Sequence, residues 1–306
     1  MTSLGRTDFD VFPLCLGGNV FGWTADEPES FALLDAYSAA GGNFVDTANS
    51  YLVEHGRSET IIGRWLAERG NRDRIVLATK VGGGKGPVRN LRPDTIEREA
   101  AASLERLQTD RIDLYYAHFD DEETPLQESL RAFDALVRAG TVRHLGASNY
   151  TVERLTAALD VQREHGLAEF TVLQPQYNLV ERGIEGTVLP VAEERDLAVT
   201  PYYGLAKGFL TGKYRPGGRA IESPRAEAAR AYLDNGGAAV LDALDEVAGT
   251  HDTTVAAVAL AWLRAHPRVV APIASARTTE QLEQILPSAT LELSADEVAR
   301  LSNGRG

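Results

Sequence analysis

Short apolar runs of strand character alternate with amphipathic helical segments along almost the whole chain. Strands are predicted at residues 14–16, 43–46, 74–79, 112–117, 142–148, 170–173, 197–201 and 268–273. Helices are predicted at residues 28–40, 58–69, 93–107, 125–139, from 151 onward, 184–195, 238–249, 254–265, 278–286 and 294–301. Eight strand–helix units in 306 residues predict an α/β fold of the (β/α)8, or TIM-barrel, type. We also expect an N-terminal β-hairpin around Gly5-Arg6 and extra helices.

A doubly wound sheet is the main alternative to the barrel. Such a sheet usually carries G-x-G-x-x-G after its first strand when it binds a dinucleotide, and this motif is missing from the sequence. Because we find neither a linker nor an internal repeat, residues 1–306 are predicted to form one barrel domain. The longest irregular stretch, residues 203–237, is rich in glycine and proline. A loop of this length in a barrel is typical of a lid or a cofactor-binding loop.

The charge balance limits the partners of the chain. A formal net charge of −13 argues against nucleic acid, which requires a concentrated basic surface, but permits a small anionic ligand. No apolar run approaches the roughly 18 residues of a membrane span, and the N-terminus lacks an apolar signal core. We therefore expect a cytoplasmic protein with no membrane partner. The single cysteine, Cys15, lies in an apolar run and is predicted to be a buried structural thiol.

Four polar residues are predicted at the carboxyl ends of neighbouring strands, where barrel enzymes hold their active sites. Asp46 ends the second strand and Tyr51 follows it, while Lys80 and His118 close the third and fourth strands. An ammonium beside a phenol favours the phenolate and lowers the pKa of the phenol, and a carboxylate can balance the ammonium. The histidine can hold a carbonyl oxygen. Together they describe an acid that protonates an oxygen as hydride reaches its carbon, which requires a nicotinamide cofactor.

Each of these residues alone has a structural explanation. An isolated Asp46 is more typical of a loop acid or helix cap, Tyr51 of a packing tyrosine, and His118 of a structural histidine. The remaining histidines, His55 among them, are predicted to be structural or exposed, and no set of side chains has the spacing of a metal site. Trp23 either walls the substrate pocket or packs in the core. The co-occurrence of polar groups at one rim favours the functional interpretation.

Several segments together resemble the aldo-keto reductases. They are LGRTDFDVFPLCLGGNVFGW, GGNFVDTANSYLVEHGRSETIIGRWL, RIVLATKVG, DRIDLYYAHFDD, AGTVRHLGASNY, LQPQYNLVER, YGLAKGFLTGKY and PIASARTTEQLE. The resemblance covers nearly the whole chain in order and spacing, and it is nearest to the bacterial and channel-subunit-like branches. The fold of that family is a (β/α)8 barrel.

The resemblance implies a role for individual residues. Tyr51 would be the general acid, with Asp46, Lys80 and His118 completing a catalytic tetrad. The implied nicotinamide contacts are Gly18, Asn19, Asp46, Ser148, Asn149, Gln174 and Tyr202. The implied pyrophosphate and adenosine-phosphate contacts are Leu205, Lys207, Gly208, Leu210, Ser275, Arg277, Gln281 and Gln284. Arg277 suggests a 2′-phosphate and hence NADPH/NADP+ rather than NADH. The chain departs from the family's common residues at Tyr203, Gln281 and Ile285.

The resemblance therefore predicts an NADPH-dependent reductase of aldehydes or ketones, with a small-molecule carbonyl as its substrate. One alternative is an NADP(H)-binding regulatory subunit of the potassium-channel β type, with little turnover. Another is a lyase or isomerase that uses the same carboxylate and lysine without a cofactor. The short C-terminal segment, residues 287–306, suggests an open pocket and a broad substrate range.

Overall fold

Eight parallel strands form the centre of the fold. The computed structural model describes residues 1–51, 55–84, 89–218 and 221–304. An antiparallel pair, β1 (Thr2–Ser3) and β2 (Asp10–Val11), precedes the parallel sheet. The parallel strands are β3 (Cys15–Gly17), β4 (Phe44–Asp46), β5 (Val76–Val81), β6 (Ile112–Ala117), β7 (Val142–Ser148), β8 (Phe170–Gln174), β9 (Ala198–Val199) and β10 (Ile273–Ala274). Their order is β10-β3-β4-β5-β6-β7-β8-β9, so each strand pairs with its neighbour in sequence and β10 returns beside β3.

Helices surround this sheet. They are α1 (Glu27–Ala39), α2 (Arg57–Arg69), α3 (Pro93–Leu107), α4 (Leu126–Arg138), α5 (Val152–Glu164), α6 (Val188–Glu194), α7 (Ala226–Arg230), α8 (Gly237–Thr250), α9 (Val255–Arg264), α10 (Thr279–Ile285) and α11 (Ala295–Ser302). Local sequence explains several of their ends. Thr151, as predicted, caps α5 by accepting from the backbone N–H of Arg154, and Pro93 occupies the first turn of α3. Within the described residues, no helix is long and apolar enough to cross a membrane.

The sheet closes on itself through the segment before β10. The Val199 N–H donates to the Arg268 carbonyl at 2.8 Å, and the Val270 N–H donates to the Val199 carbonyl at 3.0 Å. The Ile273 N–H then donates to the Pro201 carbonyl at 2.8 Å. The prediction of a TIM barrel with an N-terminal hairpin and extra helices is thereby confirmed.

Two predicted elements start four or more residues before the observed ones. The eighth strand was expected at residues 268–273, but regular pairing with β3 covers only Ile273–Ala274. Pro272 has no N–H to donate to a ladder, which limits regular pairing to the residues after it. The sixth helix was expected from residue 184 but begins at Val188. Gly186 precedes that start, and glycine disfavours a helix interior.

Side chains alternate between the barrel interior and the helix layer. On β4, Phe44 packs in the interior cluster, Val45 packs against the outer layer, and Asp46 returns to the inside. The same alternation places Lys80 two residues after the interior residue Ala78. The interior positions are therefore apolar in the lower part of the barrel and polar at its carboxyl rim. This gradient places Asp46 and Lys80 at the carboxyl rim.

The N-terminal hairpin covers the opposite end of the barrel. Leu4, Phe9 and Val11 pack in the same buried cluster as the interior strand residues. A side chain at Gly5, which has a φ of +58°, would lie 2.9 Å from the Ala198 Cβ. The hairpin thus closes the amino end of the barrel and leaves the carboxyl end open.

The segment predicted as a lid or cofactor loop, residues 203–237, crosses the carboxyl end. It contains the 3-10 helices Ala206–Thr211 and Leu233–Asn235 and the short helix α7, and its residues 219–220 lie outside the described part of the chain. Its function as a lid remains a prediction.

Candidate active site

Asp46, Tyr51 and Lys80 meet at the carboxyl end of the barrel. The Lys80 Nζ donates to Asp46 Oδ2 at 2.6 Å, to the Thr47 carbonyl at 2.7 Å and to Tyr51 Oη at 2.7 Å. Tyr51 Oη donates to Asp46 Oδ2 at 3.0 Å. The side chains of Lys80 and Asp46 are only 1% and 2% exposed, so their charges balance each other away from solvent. The tyrosine hydroxyl is therefore held between an ammonium and a carboxylate.

The acidity of the phenol differs from the expectation from sequence. Burial, together with the charge of Asp46 and its hydrogen bond, raises the pKa of Tyr51 well above the usual value of 10. Burial also lowers the pKa of Lys80, against the opposing charge of Asp46. The prediction that Lys80 brings the tyrosine pKa below its ordinary value was wrong, because burial outweighs the nearby ammonium. Tyr51 thus keeps its proton throughout the neutral range.

His118 lies beside the phenol with its ring in a neutral form. The ring centroids of His118 and Tyr51 are 6.1 Å apart and approach edge to face. Burial and the charge of Lys80 lower the pKa of His118 from 6.5 to about 3. Ser50 Oγ lies 3.4 Å from His118 Nδ1, and Phe119 stacks on the imidazole with centroids 5.0 Å apart. A neutral imidazole here can share a hydrogen bond with an oxygen but adds no charge to the site.

A chain of amide and hydroxyl groups continues from the tetrad to the far side of the rim. Gln174 Nε2 donates to Asp46 Oδ1 at 2.9 Å, and Ser148 Oγ donates to the backbone carbonyl of Gln174 at 2.7 Å. Tyr202 Oη donates to Asn149 Oδ1 at 2.8 Å. Asn149 has a φ of +57°, an uncommon conformation that asparagine tolerates better than most residues. These four residues, predicted to contact the nicotinamide, are held in fixed orientations next to Asp46.

A cavity of about 550 Å³ opens above these groups and extends to Arg277, which is within the size range of cofactor sites. Its lining includes most of the predicted residues: Asn19, Asp46, Tyr51, His118, Ser148, Asn149, Gln174, Tyr202, Leu205, Lys207, Gly208, Ser275, Arg277, Gln281 and Gln284. Three predicted residues do not line it. Lys80 lies beneath Tyr51, Gly18 accepts a hydrogen bond from Ser58 at 2.7 Å, and Leu210 is buried in the core. Their roles in cofactor binding or catalysis remain predictions.

Four cations line this cavity, and none of them belongs to an ion pair among the described residues. They are Lys207, Lys213, Arg225 and Arg277. Burial and the charge of Arg277 lower the pKa of Lys213, and burial lowers the pKa of Arg225. The carboxylates of the chain outnumber its basic groups, 44 to 31, so unpaired cations in one cavity are unusual. The cavity is suited to a ligand with several negative charges.

Sequence reasoning missed two of these four cations. Lys213 and Arg225 lie in the irregular segment 203–237, where no periodicity indicates which side chains face inward. The Arg225 guanidinium lies 5.2 Å from the Trp23 ring centroid and 5.9 Å from that of Tyr203. Trp23 itself lines the cavity, which favours the pocket-wall interpretation of this residue over core packing.

The backbone near the cavity adopts uncommon conformations. Tyr203, Ala206 and Lys207 have φ values of +54°, +47° and +58°, and Gly208 follows at +94°. Positive φ values in non-glycine residues cost free energy and concentrate at functional sites. The run therefore indicates that this segment is shaped for a ligand rather than for its own stability.

The distal end of the cavity is built from β10 and α10. Ser275 Oγ donates to Asn19 Oδ1 at 2.8 Å, and the Arg277 N–H donates to Gln281 Oε1 at 3.0 Å. Gln284 and Ile285 complete this wall. Among the described residues, no group of three or more His, Cys, Asp or Glu side chains is placed to hold a metal ion. Cys15 is buried in the barrel interior, as predicted.

Comparisons with known proteins agree with this geometry. The model of the aldo/keto reductase family matches residues 13–303. An uncharacterized oxidoreductase of Bacillus subtilis, YrpG, is 37% identical over 99% of this chain and 94% of its own. The norsolorinic acid reductase stcV of Emericella nidulans is 34% identical over 96% of this chain and 78% of its own. An aryl-alcohol dehydrogenase of Pestalotiopsis microspora is 31% identical over 96% of this chain and 79% of its own.

Proposed function

The chain belongs to the aldo/keto reductase family, and on that premise we propose that it is an NADPH-dependent reductase of aldehydes or ketones with Tyr51 as its general acid. One observation carries the proposal. The Tyr51 hydroxyl is held between Lys80 and Asp46 at the base of a cavity lined by four cations that form no ion pair within the described parts of the chain. A proton donor next to a polyanion-binding cavity fits reduction of a carbonyl by a phosphorylated nicotinamide cofactor.

Each residue of the tetrad has a separate role in the proposed reaction. When bound, the nicotinamide supplies hydride to the carbonyl carbon. Tyr51 donates its proton to the carbonyl oxygen, and the ammonium of Lys80, 2.7 Å from Oη, stabilises the phenolate that remains. Asp46 keeps Lys80 charged. His118, as a neutral imidazole, orients the carbonyl oxygen next to the phenol.

The cavity fits the cofactor that this chemistry requires. Ser148, Asn149 and Gln174 offer hydrogen-bonding groups near Asp46 for a carboxamide, and Tyr202 offers a ring next to them. The cations Lys207, Lys213, Arg225 and Arg277 provide charges for the pyrophosphate and a 2′-phosphate. This distribution supports NADPH rather than NADH.

The walls near Tyr51 support an aromatic carbonyl substrate. Trp23, Phe119 and Tyr203 line the cavity together with His118. Such side chains favour flat apolar ligands, and one relative is named for aryl alcohols. Residues 287–304 of the C-terminal segment do not line the cavity, in keeping with an open pocket and a broad range.

A panel of aromatic and aliphatic aldehydes with NADPH tests the proposed function. We expect NADPH to be oxidised in the presence of several aromatic aldehydes and more slowly in the presence of short aliphatic ones. The loss of nicotinamide absorbance measures the rate. Tight NADPH binding without turnover on any carbonyl would instead support the regulatory-subunit alternative.

The ionisation of the site predicts an unusual pH profile. His118 stays neutral above its pKa of about 3, and Tyr51 stays protonated because its pKa is raised. We therefore expect kcat for carbonyl reduction to be flat from about pH 5 to about pH 8. The reverse oxidation needs the phenolate as a base, so its rate should rise by about tenfold per pH unit over the same range. A break in the reduction profile near pH ~6.5 that disappears in His118→Asn would contradict a neutral imidazole.

Arg277 is expected to determine the preference for NADPH. Arg277→Gln removes one charge-assisted contact to the 2′-phosphate, worth about 1.5–3 kcal/mol, so the Kd for NADPH should rise by about 10- to 100-fold. The Kd for NADH should change much less. Fluorescence titration of both cofactors measures the two constants. Arg268→Gln is the matched control, because Arg268 pairs with Asp196 away from the cavity. Equal losses for NADPH and NADH would contradict this assignment.

A further inference from the structure

The described residues of the loop that carries Tyr51 form no helix or strand. It runs from Thr47, after β4, to Gly56, before α2, and its residues 52–54 lie outside the described part of the chain. Tyr51 Oη must nevertheless stay within hydrogen-bonding distance of Lys80 and Asp46. Contacts to groups outside the cavity fix the position of this loop.

One carboxylate oxygen contacts the loop on both sides of Tyr51. Glu99, on α3, accepts from Asn49 Nδ2 at 2.9 Å through its Oε2 atom. The same oxygen lies 3.1 Å from His55 Nε2. Asn49 precedes Tyr51 by two residues and His55 follows it by four. Glu99 thus joins the two ends of the segment that presents the phenol.

The backbone of the loop closes at the same place. The Gly56 N–H donates to the Asn49 carbonyl at 2.7 Å, so Asn49 is also bonded to the residue that follows His55. The same loop also contacts the other tetrad residues. The Thr47 carbonyl accepts from Lys80 Nζ, and Ser50 Oγ lies near His118. A shift of the loop would therefore change the geometry of the whole tetrad.

Glu99 is buried where it contacts Asn49. The residue is 5% exposed and Asn49 is fully buried. Asn49 Oδ1 has no hydrogen-bond partner in the described parts of the chain. The Asn49 side chain is therefore held there by the hydrogen bond from its Nδ2 to Glu99. Although burial opposes it, hydrogen bonds from Asn49 and His55 lower the pKa of Glu99, which keeps the group charged. Arg98 Nε lies 3.5 Å from the other carboxylate oxygen.

We propose that Glu99 is a positioning residue for Tyr51 and that it holds the phenol in register with Lys80 by clamping Asn49 and His55. The proposal rests on the proposed function, because it assumes that Tyr51 donates the proton. Glu99 does not line the cavity, so it contacts neither substrate nor cofactor. His55 is exposed, in agreement with the prediction that it is structural or exposed, and its Nε2 also takes part in this clamp.

The first test compares Glu99→Ala with Glu99→Gln. The alanine variant removes both contacts, and kcat should fall by about 10- to 100-fold, since misplacing a catalytic group by about 1 Å has an effect of this size. The Kd for NADPH should stay within about twofold. Glutamine keeps a carbonyl oxygen as acceptor for Asn49 and His55, so Glu99→Gln should retain most of kcat.

Asp134→Ala is the matched control. Asp134 is likewise a buried carboxylate on an outer helix, and it holds another loop by accepting from the Ala168 N–H at 2.9 Å, far from Tyr51. We expect this variant to lower the melting temperature without changing kcat per NADPH-binding site. Equal losses of kcat in Glu99→Ala and Asp134→Ala would show general destabilisation and overturn the proposal.

A double-mutant cycle separates positioning from a structural role. Once Tyr51→Phe has removed the proton donor, adding Glu99→Ala should lower the single-turnover rate no further. A further loss of 10-fold or more in the double variant would overturn the proposal. If the wild-type protein reduces no carbonyl at all, the proposed function itself fails. If the wild type is active and Glu99→Ala keeps full kcat, only the positioning role fails.

Discussion

Tyr51→Phe is expected to reduce carbonyl turnover by about 10²- to 10⁴-fold, the contribution of a well-placed general acid. The substitution removes only the hydroxyl that donates to Asp46 and accepts from Lys80. The buried pair of Lys80 and Asp46 remains, so the fold and the charge of the site should change little. The Kd for NADPH should also stay nearly constant, because the cations of the cavity are untouched. Steady-state kinetics and fluorescence titration on the same preparation measure both quantities.

Tyr115→Phe is the matched control for this experiment. Tyr115 is another buried tyrosine, and its hydroxyl has no hydrogen-bond partner among the described residues. Removing that hydroxyl should leave turnover unchanged and cost no stability. Full activity in Tyr51→Phe would rule out the phenol as the proton donor. An equal loss in both variants would point to disturbed packing instead.

Lys80→Met is expected to have the second largest effect, on activity and stability together. It leaves the carboxylate of Asp46 buried without its partner, and breaking a buried pair in this way costs about 3–5 kcal/mol. Turnover should also fall, though by less than in Tyr51→Phe, because the proton donor remains while the phenolate formed in the reaction loses its ammonium neighbour. Chemical denaturation measures the free energy of unfolding, and single-turnover kinetics measure the loss of activity.

The double variant Asp46→Asn/Lys80→Met distinguishes the two effects. It removes both charges, so much of the lost stability should return while the activity stays low. Recovery of activity in the double variant would show that Lys80 serves only to neutralise Asp46. A single Lys80→Met variant as stable as the wild type would contradict a buried, mutually dependent pair.

The strand ends were predictable from sequence for a simple geometric reason. In a strand every second side chain faces the same way, so a polar residue that closes an apolar run in a parallel barrel reaches the carboxyl rim. Asp46, Lys80, Ser148 and Gln174 all close such runs, and the structure brings them together. The register between neighbouring strands aligns Ser148 directly with Gln174.

The features that sequence did not predict depend on contacts without periodicity. Lys213 and Arg225 reach the cavity from an irregular segment, and Glu99 meets Asn49 across 50 residues of chain. The pKa of Tyr51 was predicted in the wrong direction because pattern reasoning weighed the ammonium of Lys80 but not burial. Burial depends on the packing of many distant residues, which a local pattern does not contain.

Transfer of label from NADPH deuterated at the reactive nicotinamide carbon tests the central claim most directly. In a single turnover with an aromatic aldehyde, we predict that the alcohol product carries the deuterium on its carbinol carbon. The oxygen-bound proton of the alcohol should come from exchangeable groups of the protein. An alcohol without deuterium, or bound NADPH that never transfers its label to any carbonyl, would contradict the assignment of this site as a carbonyl reductase.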